Sequence, residues 1–265
     1  GNNALRGTTD TDITGDENVA IGAGSMKFNI AGAYNAAVGR SSLYTNTSGS
    51  NNTALGYQSL WSNTTGSSNT ASGYKSLYAN TTGTRNLAIG YNAYDNADTE
   101  NDNLAIGYDA LGGAIDGGAF NIAIGNYSLD ANTSGDYNVA VGYRSLSANT
   151  SGGYNNAFGY DAMISNTTGL QNTAVGHTSL YSNTTASGNA AFGHGSLYAN
   201  TTGTTNTASG VSSLYSNTTA SYNTAIGGGA LYDANRTADA DGYNTALGYN
   251  AGNTNTNDIT TGNKN

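Results

Sequence analysis

The chain has 265 residues, with 38 Gly, no Pro, no Cys and a formal net charge of −9. Absent Cys excludes disulfides and thiolate metal sites, and the acidic balance repels phosphates, which argues against a nucleic-acid partner. The longest apolar run is only a few residues, far short of a bilayer, so membrane insertion is not expected.

Residues 1–17 open Gly1-Asn2-Asn3 without a Met and read as an N-terminal cap or the remnant of a preceding coil. From Asn18 a 17-residue unit takes over and repeats through residues 18–252. It reads Asn-Thr-Ala-(Ile/Val/Leu)-Gly-Tyr-x-Ser-Leu-Tyr-x-Asn-Thr-Thr-Gly-x-x, and its places are numbered one to seventeen from the first Asn. A strict period of this kind means stacked structural units, each burying its apolar side against the next. Gly at fixed places of a 17-residue unit is neither collagen nor a flexible linker. A helix is excluded too, since no 3.6-residue stripe persists and each interior Gly would cost roughly 1 kcal/mol.

Two short strand-like pieces per unit are expected, Thr-Ala-Ile-Gly-Tyr and Ser-Leu-Tyr, each closed by a turn, the second turn being Asn-Thr-Thr-Gly. The fold class expected is all-β: a parallel β-solenoid, or β-roll, of about fourteen 17-residue coils. Strand alternation assigns the faces. Ala at place three and Gly at place five recur in every unit and are expected to face inward against the place-nine Leu. Place four then faces out: Ile21, Val38, Leu55, Ile89, Ile106, Ile124, Val141, Phe158, Val175, Phe192, Ile226 and Leu247. An outward apolar stripe of that size calls for a partner, and another copy of the chain is the simplest one. The inverted alternation, with place four inside a wider monomeric coil, is the alternative. Ser72 and Ser209 interrupt the stripe.

Asn-x-Ala-(Ile/Val)-Gly-x-x-(Ser/Ala), repeated along nearly the whole chain, resembles the head repeats of trimeric, YadA-like autotransporter adhesins. The fuller unit, Asn52-Thr53-Ala54-Leu55-Gly56-Tyr57-Gln58-Ser59-Leu60-Trp61-Ser62-Asn63-Thr64-Thr65-Gly66, looks still more like repeats of bacterial and phage tail-fibre-type proteins. The resemblance implies a left-handed coil, a homotrimer and an extracellular, cell-surface or virion location. It further implies a structural or adhesive role, a shaft or head mediating surface attachment or binding host or cell-surface glycans or receptors. The 17-residue period departs from the adhesin head, whose unit is typically shorter.

Three further features bear on chemistry. Place-ten aromatics (Tyr44, Trp61, Tyr78, Tyr181, Tyr198, Tyr215, Tyr232) and place-six aromatics form columns that stiffen a stack, and rows of Tyr beside Asn are also candidate sugar-binding residues. Asn46, Asn63, Asn80, Asn132, Asn149, Asn166, Asn183, Asn200 and Asn217 each open an Asn-x-(Ser/Thr) acceptor, so they are candidate glycosylation sites or, on the structural reading, rungs of a turn ladder. His177 and His194 share place six of consecutive coils, where they replace Tyr in a surface column; no metal site is assigned to them. With only two His and no cleft expected, no catalytic constellation is present and neither an enzyme nor a cofactor is expected.

Two irregular places complete the pass. Acidic residues gather at Asp95, Asp98, Glu100 and Asp102, and again at Asp233, Asp239 and Asp241, and read as solvated loops. The unit 223–243 carries four extra residues, making 233–242 a candidate lateral contact, and 112–118 is a lesser irregularity. Residues 253–265 read as a C-terminal end that continues into missing sequence. Two alternatives to a fibre trimer stay open: a monomeric solenoid binding ice or glycans through a flat Thr/Asn/Tyr face, and a subunit of an end-to-end filament.

Overall fold

The computed structural model describes residues 14–113, 116–233 and 242–253. Among these the chain is all-β with no helix, and it forms a parallel β-solenoid with one three-residue strand per coil. It divides into two compact units, Gly1–Asp136 and Tyr137–Asn265. Unit 1 holds β1 (Val19–Ile21), β2 (Ala36–Val38), β3 (Thr53–Leu55), β4 (Thr70–Ser72), β5 (Leu87–Ile89), β6 (Leu104–Ile106) and β7 (Ile122–Ile124). Unit 2 holds β8 (Val139–Val141), β9 (Asn156–Phe158), β10 (Thr173–Val175), β11 (Ala190–Phe192), β12 (Thr207–Ser209), β13 (Thr224–Ile226) and β14 (Thr245–Leu247).

Within each unit the strands follow chain order, and like pairs with like. Ala37 lies beside Ala54, which lies beside Ala71; Ala174 lies between Ala157 and Ala191. Coils are tied by backbone bonds in both directions. Thr53, Leu60 and Ser62 donate N–H groups to Asn69, Ser76 and Tyr78 of the next coil, while Gly56, Gln58 and Ser68 donate back to Val38, Arg40 and Ser50. This is why a chain without Pro suits the fold: a missing N–H would break a rail between coils.

The second expected strand does not form. Ser-Leu-Tyr lies in a turn, because places seven and nine adopt left-handed backbone (Gln58 φ 54°, Leu60 φ 50°). On a strand Ser59 and Leu60 would face opposite sides; here both are fully buried. Two left-handed residues two places apart rotate the chain so that consecutive side chains point inward. The place-five glycines also act differently from expectation. Gly56 has φ 137°, and a Cβ there would run along the stack into the carbonyl of Gly73. Gly is needed at place five for close coil stacking, not because the place faces the interior.

The interior is thin and partly polar. The coils from Asn18 to Asn223 each bury a place-nine residue, Leu except for Met26, Tyr94 and Met163, and every place-three Ala except the half-buried Ala20 is buried; Gly252 takes place nine in the last coil. Place-eight Ser and the Asn residues of places one and twelve are buried beside them. In the coil from Asn52, its Nδ2 crosses the interior to the carbonyl of Gly66 at 2.8 Å. The same carbonyl accepts from Nδ2 of Asn63 at 2.9 Å. Each Asn also reaches the preceding coil: the backbone N of Asn52 donates to Oδ1 of Asn35 at 2.9 Å, and Nδ2 of Asn63 to Oδ1 of Asn46 at 2.8 Å. Two ladders of mutually satisfied amides therefore run through the core, which is how so polar a core is tolerated.

One coil of unit 1 rewrites this scheme. Tyr94 replaces Leu at place nine, Ala97 replaces Asn at place twelve and Glu100 replaces Gly at place fifteen. The ladder stops at Ala97 and leaves Oδ1 of Asn80 buried without a partner. Tyr94 fills the space, its hydroxyl accepting from Nδ2 of Asn103 at 2.7 Å. Burial, then the Glu100 carboxylate, push the Tyr94 phenol far above its usual range. Glu100 accepts from the backbone N–H groups of Asp98 (3.0 Å), Thr99 (3.2 Å) and Gly117 (3.2 Å), doing for the turn what Asn does elsewhere.

Several expectations fall outside the described residues: residues 1–13 of the N-terminal segment, Asp239 and Asp241, all of the 233–242 loop except Asp233 and Gly242, and 254–265 of the C-terminal end.

Candidate functional surfaces

The outward face of the sheet is built from places two, four and six, which project on the same side because the interval is two residues. All twelve place-four residues point away from the core, so the inverted alternation is ruled out. Ile106, Ile124 and Val141 are half-exposed, and the other nine are exposed, from 37% at Val38 and Val175 to 77% at Leu247. Among the twenty-one positions at these places in unit 1, Arg40 alone is charged; among the twenty-one in unit 2, none is Asp, Glu, Lys or Arg. Acidic residues sit instead at other places, such as Asp109 and Asp161 at place seven, Asp95 and Asp130 at place ten and Asp233 at place eleven.

Place six carries a ring column on the edge of that face. In unit 1 Tyr57, Tyr74, Tyr91 and Tyr108 stack with centroids 5.3, 4.8 and 5.2 Å apart. Tyr143, Tyr160, His177 and His194 stack in unit 2 at 5.2, 5.1 and 5.0 Å. The two imidazoles are thus members of an aromatic column, 5° from parallel. Among the described residues no three His, Asp or Glu side chains come together in a way that could hold a metal ion.

Place ten carries the second column. Trp61 lies between Tyr44 and Tyr78 at 5.7 and 5.3 Å, and Lys75 Nζ sits 5.1 Å from the Tyr78 ring centre. Tyr181, Tyr198, Tyr215 and Tyr232 stack in unit 2 at 4.9, 4.8 and 5.0 Å. Sugars dock on ring faces, and here the interior rings have both faces covered by their neighbours. Of the seven candidate sugar-binding residues, Trp61, Tyr198 and Tyr215 are sandwiched between rings and offer only edges, whereas Tyr78, Tyr181 and Tyr232 each stack against one ring.

The glycosylation expectation is corrected as well. Asn46, Asn63, Asn80, Asn132, Asn149, Asn166, Asn183, Asn200 and Asn217 are all fully buried. Each amide nitrogen donates to the place-fifteen carbonyl of its own turn at 2.9–3.2 Å. A glycan on that nitrogen would remove a ladder donor and has no room inside the coil. The neighbouring hydroxyls split: place-thirteen Thr64 donates its Oγ1 to Thr81 O at 3.0 Å, whereas place-fourteen Thr65 is exposed.

The acidic cluster is dispersed into separate roles. Asp102 forms an ion pair with Arg85 at 2.6 Å, Asp98 accepts from the Thr81 hydroxyl, and Glu100 is the buried turn cap. Asp95 is pushed up to about 6, first by burial and then by Asp109; Asp130 is likewise pushed up to about 6, chiefly by burial. In unit 2 Arg144 pairs with Asp161 at 2.6 Å.

Comparison of the chain with protein-family models, curated proteins and solved structures finds no match.

Proposed function

We propose that the chain is a structural module of an extracellular fibre or adhesin, assembled from parallel copies through the outward sheet face. The observation that carries this reading is the coincidence of apolar character and charge depletion on that face. A net charge of −9 opposes self-association, yet among the described residues no Asp or Glu lies at places two, four or six, which form the contact. A second copy has the same 17-residue axial step, so each coil can meet its equivalent in register. The resemblance to YadA-like heads and tail-fibre repeats adds a left-handed coil, a threefold arrangement and a cell-surface or virion setting. The module would act by stiffness and by presenting many equivalent weak contacts to surface glycans or receptors.

Ile106→Asp tests the reading. Ile106 faces outward, so its replacement leaves the coil folded while placing a carboxylate in the middle of the contact. Loss of the oligomer with an unchanged circular dichroism spectrum is expected; an oligomer of unaltered mass would refute the assignment of this face.

A further inference from the structure

The place-ten column of unit 2 is four tyrosines in unbroken succession. Their ring planes lie within 10°, 5° and 5° of parallel at centroid separations of 4.9, 4.8 and 5.0 Å. All four are half-buried, with faces covered by one another and edges toward solvent. In unit 1 the same place is interrupted by Trp61, and the place-six tyrosines lie on the sheet face proposed above as the contact between copies. The place-ten column of unit 2 therefore combines uninterrupted phenols, mutual contact and access from solvent.

We propose that Tyr181, Tyr198, Tyr215 and Tyr232 form an oxidative cross-linking site that joins adjacent coils by dityrosine bonds. The co-reactant is a peroxidase-type one-electron oxidant supplied with hydrogen peroxide. Two phenols each lose one electron and one proton, giving two phenoxyl radicals. The radicals join through a carbon–carbon bond between ring positions ortho to the oxygens. The hydrogen on each joined carbon then moves to its phenoxyl oxygen and restores both aromatic rings. One peroxide accepts the two electrons and two protons and leaves as two waters, so the step balances. The stack favours this outcome because each ring has an axial neighbour in contact, and the spin can pass along overlapping rings until two radicals are adjacent. Burial and the neighbouring phenols hold the Tyr198 hydroxyl above the usual tyrosine range, so its proton departs with the electron. Each bond would staple coils that are otherwise held by non-covalent contacts.

The test is treatment of the intact chain with horseradish peroxidase and hydrogen peroxide, followed by dityrosine fluorescence and mass-spectrometric mapping of cross-linked peptides. Bonds between Tyr181 and Tyr198, Tyr198 and Tyr215, or Tyr215 and Tyr232 are expected, and they should be lost when the chain is unfolded in urea before oxidation. A Tyr198→Phe/Tyr215→Phe double variant keeps the stacked rings but leaves Tyr181 and Tyr232 without an adjacent phenol, so the column's cross-links should vanish. Absence of all three bonds in the folded chain, or their equal yield from the unfolded chain, overturns the proposal.

Discussion

Asn63 shows what a single residue does in this solenoid. Its amide closes the turn through Gly66 O, donates to Oδ1 of Asn46 and accepts from Nδ2 of Asn80 at 2.9 Å. Asn63→Asp removes both donors and buries a charge in the ladder, leaving Asn46 Oδ1 unpaired. A loss of about 3 kcal/mol or more is expected in denaturant unfolding, set against a negligible effect of Thr65→Asp on the adjacent exposed place. Equal effects would mean that the amide ladder contributes little. Leu60→Ala, which empties the apolar half of the same coil, is expected to cost about 2–5 kcal/mol. In the sequence, the buried amide and a glycan acceptor have the same spelling, Asn-Thr-Thr. Only the direction of the side chain separates them, and that direction is set by turn geometry which no residue type announces. The place-one Asn gave no signal either, because its partner, the place-fifteen carbonyl, lies fourteen residues away.

At the scale of the coil, the strand at places two to four was legible because period-two alternation put Ala in and the aliphatic residues out. Places seven to nine were not. Gln58 and Leu60 have no preference for left-handed backbone, so the run Ser-Leu-Tyr reads as a strand until the stack imposes the turn. That strain is testable at Thr178, a β-branched residue at φ 52° on place seven. Gly24, Gly195 and Gly229 already occupy left-handed positions elsewhere in the chain. Thr178→Gly is therefore expected to stabilise unit 2 by about 1 kcal/mol, the relief of the left-handed conformation exceeding the glycine entropy. Destabilisation in thermal unfolding would show that the position is not strained.

Coils of unit 1 also carry a pH signature. Asp95 and Asp130 have folded values near 6, above the ordinary carboxylate value of 3.8. Carboxylates raised on folding favour the folded state while protonated, and that contribution fades as pH rises from about 4 through 6. The exposed Arg85–Asp102 pair runs the other way, with Asp102 lowered by its hydrogen bond to Arg85, and as a surface pair it is weak. Acidification from neutral pH toward pH 5 should raise the thermal midpoint of the wild type more than that of Asp95→Asn. Identical pH profiles for the two proteins would remove Asp95 from the account.

At the scale of the molecule, the central question is what covers the outward sheet face. The stripe and its polarity were readable from the repeat alone, because place four is apolar in twelve of its fourteen occurrences, Ser72 and Ser209 being the exceptions. Its isolation from charge became visible only once places two and six were seen to share its side. The aromatic columns were readable as columns, while the mutual covering of their faces depended on the spacing between coils. A face of this composition, repeated at every coil, is matched most simply by another copy of itself, and in the proposed assembly the net negative charge would keep the remaining surfaces apart.

Native mass spectrometry of the purified chain, run beside Ile106→Asp, is the most direct measurement. The account predicts an assembly of three 26.8 kDa chains for the wild type and a folded single chain for the variant. A wild-type chain that remains single at 26.8 kDa, with its place-four residues open to solvent, would contradict it.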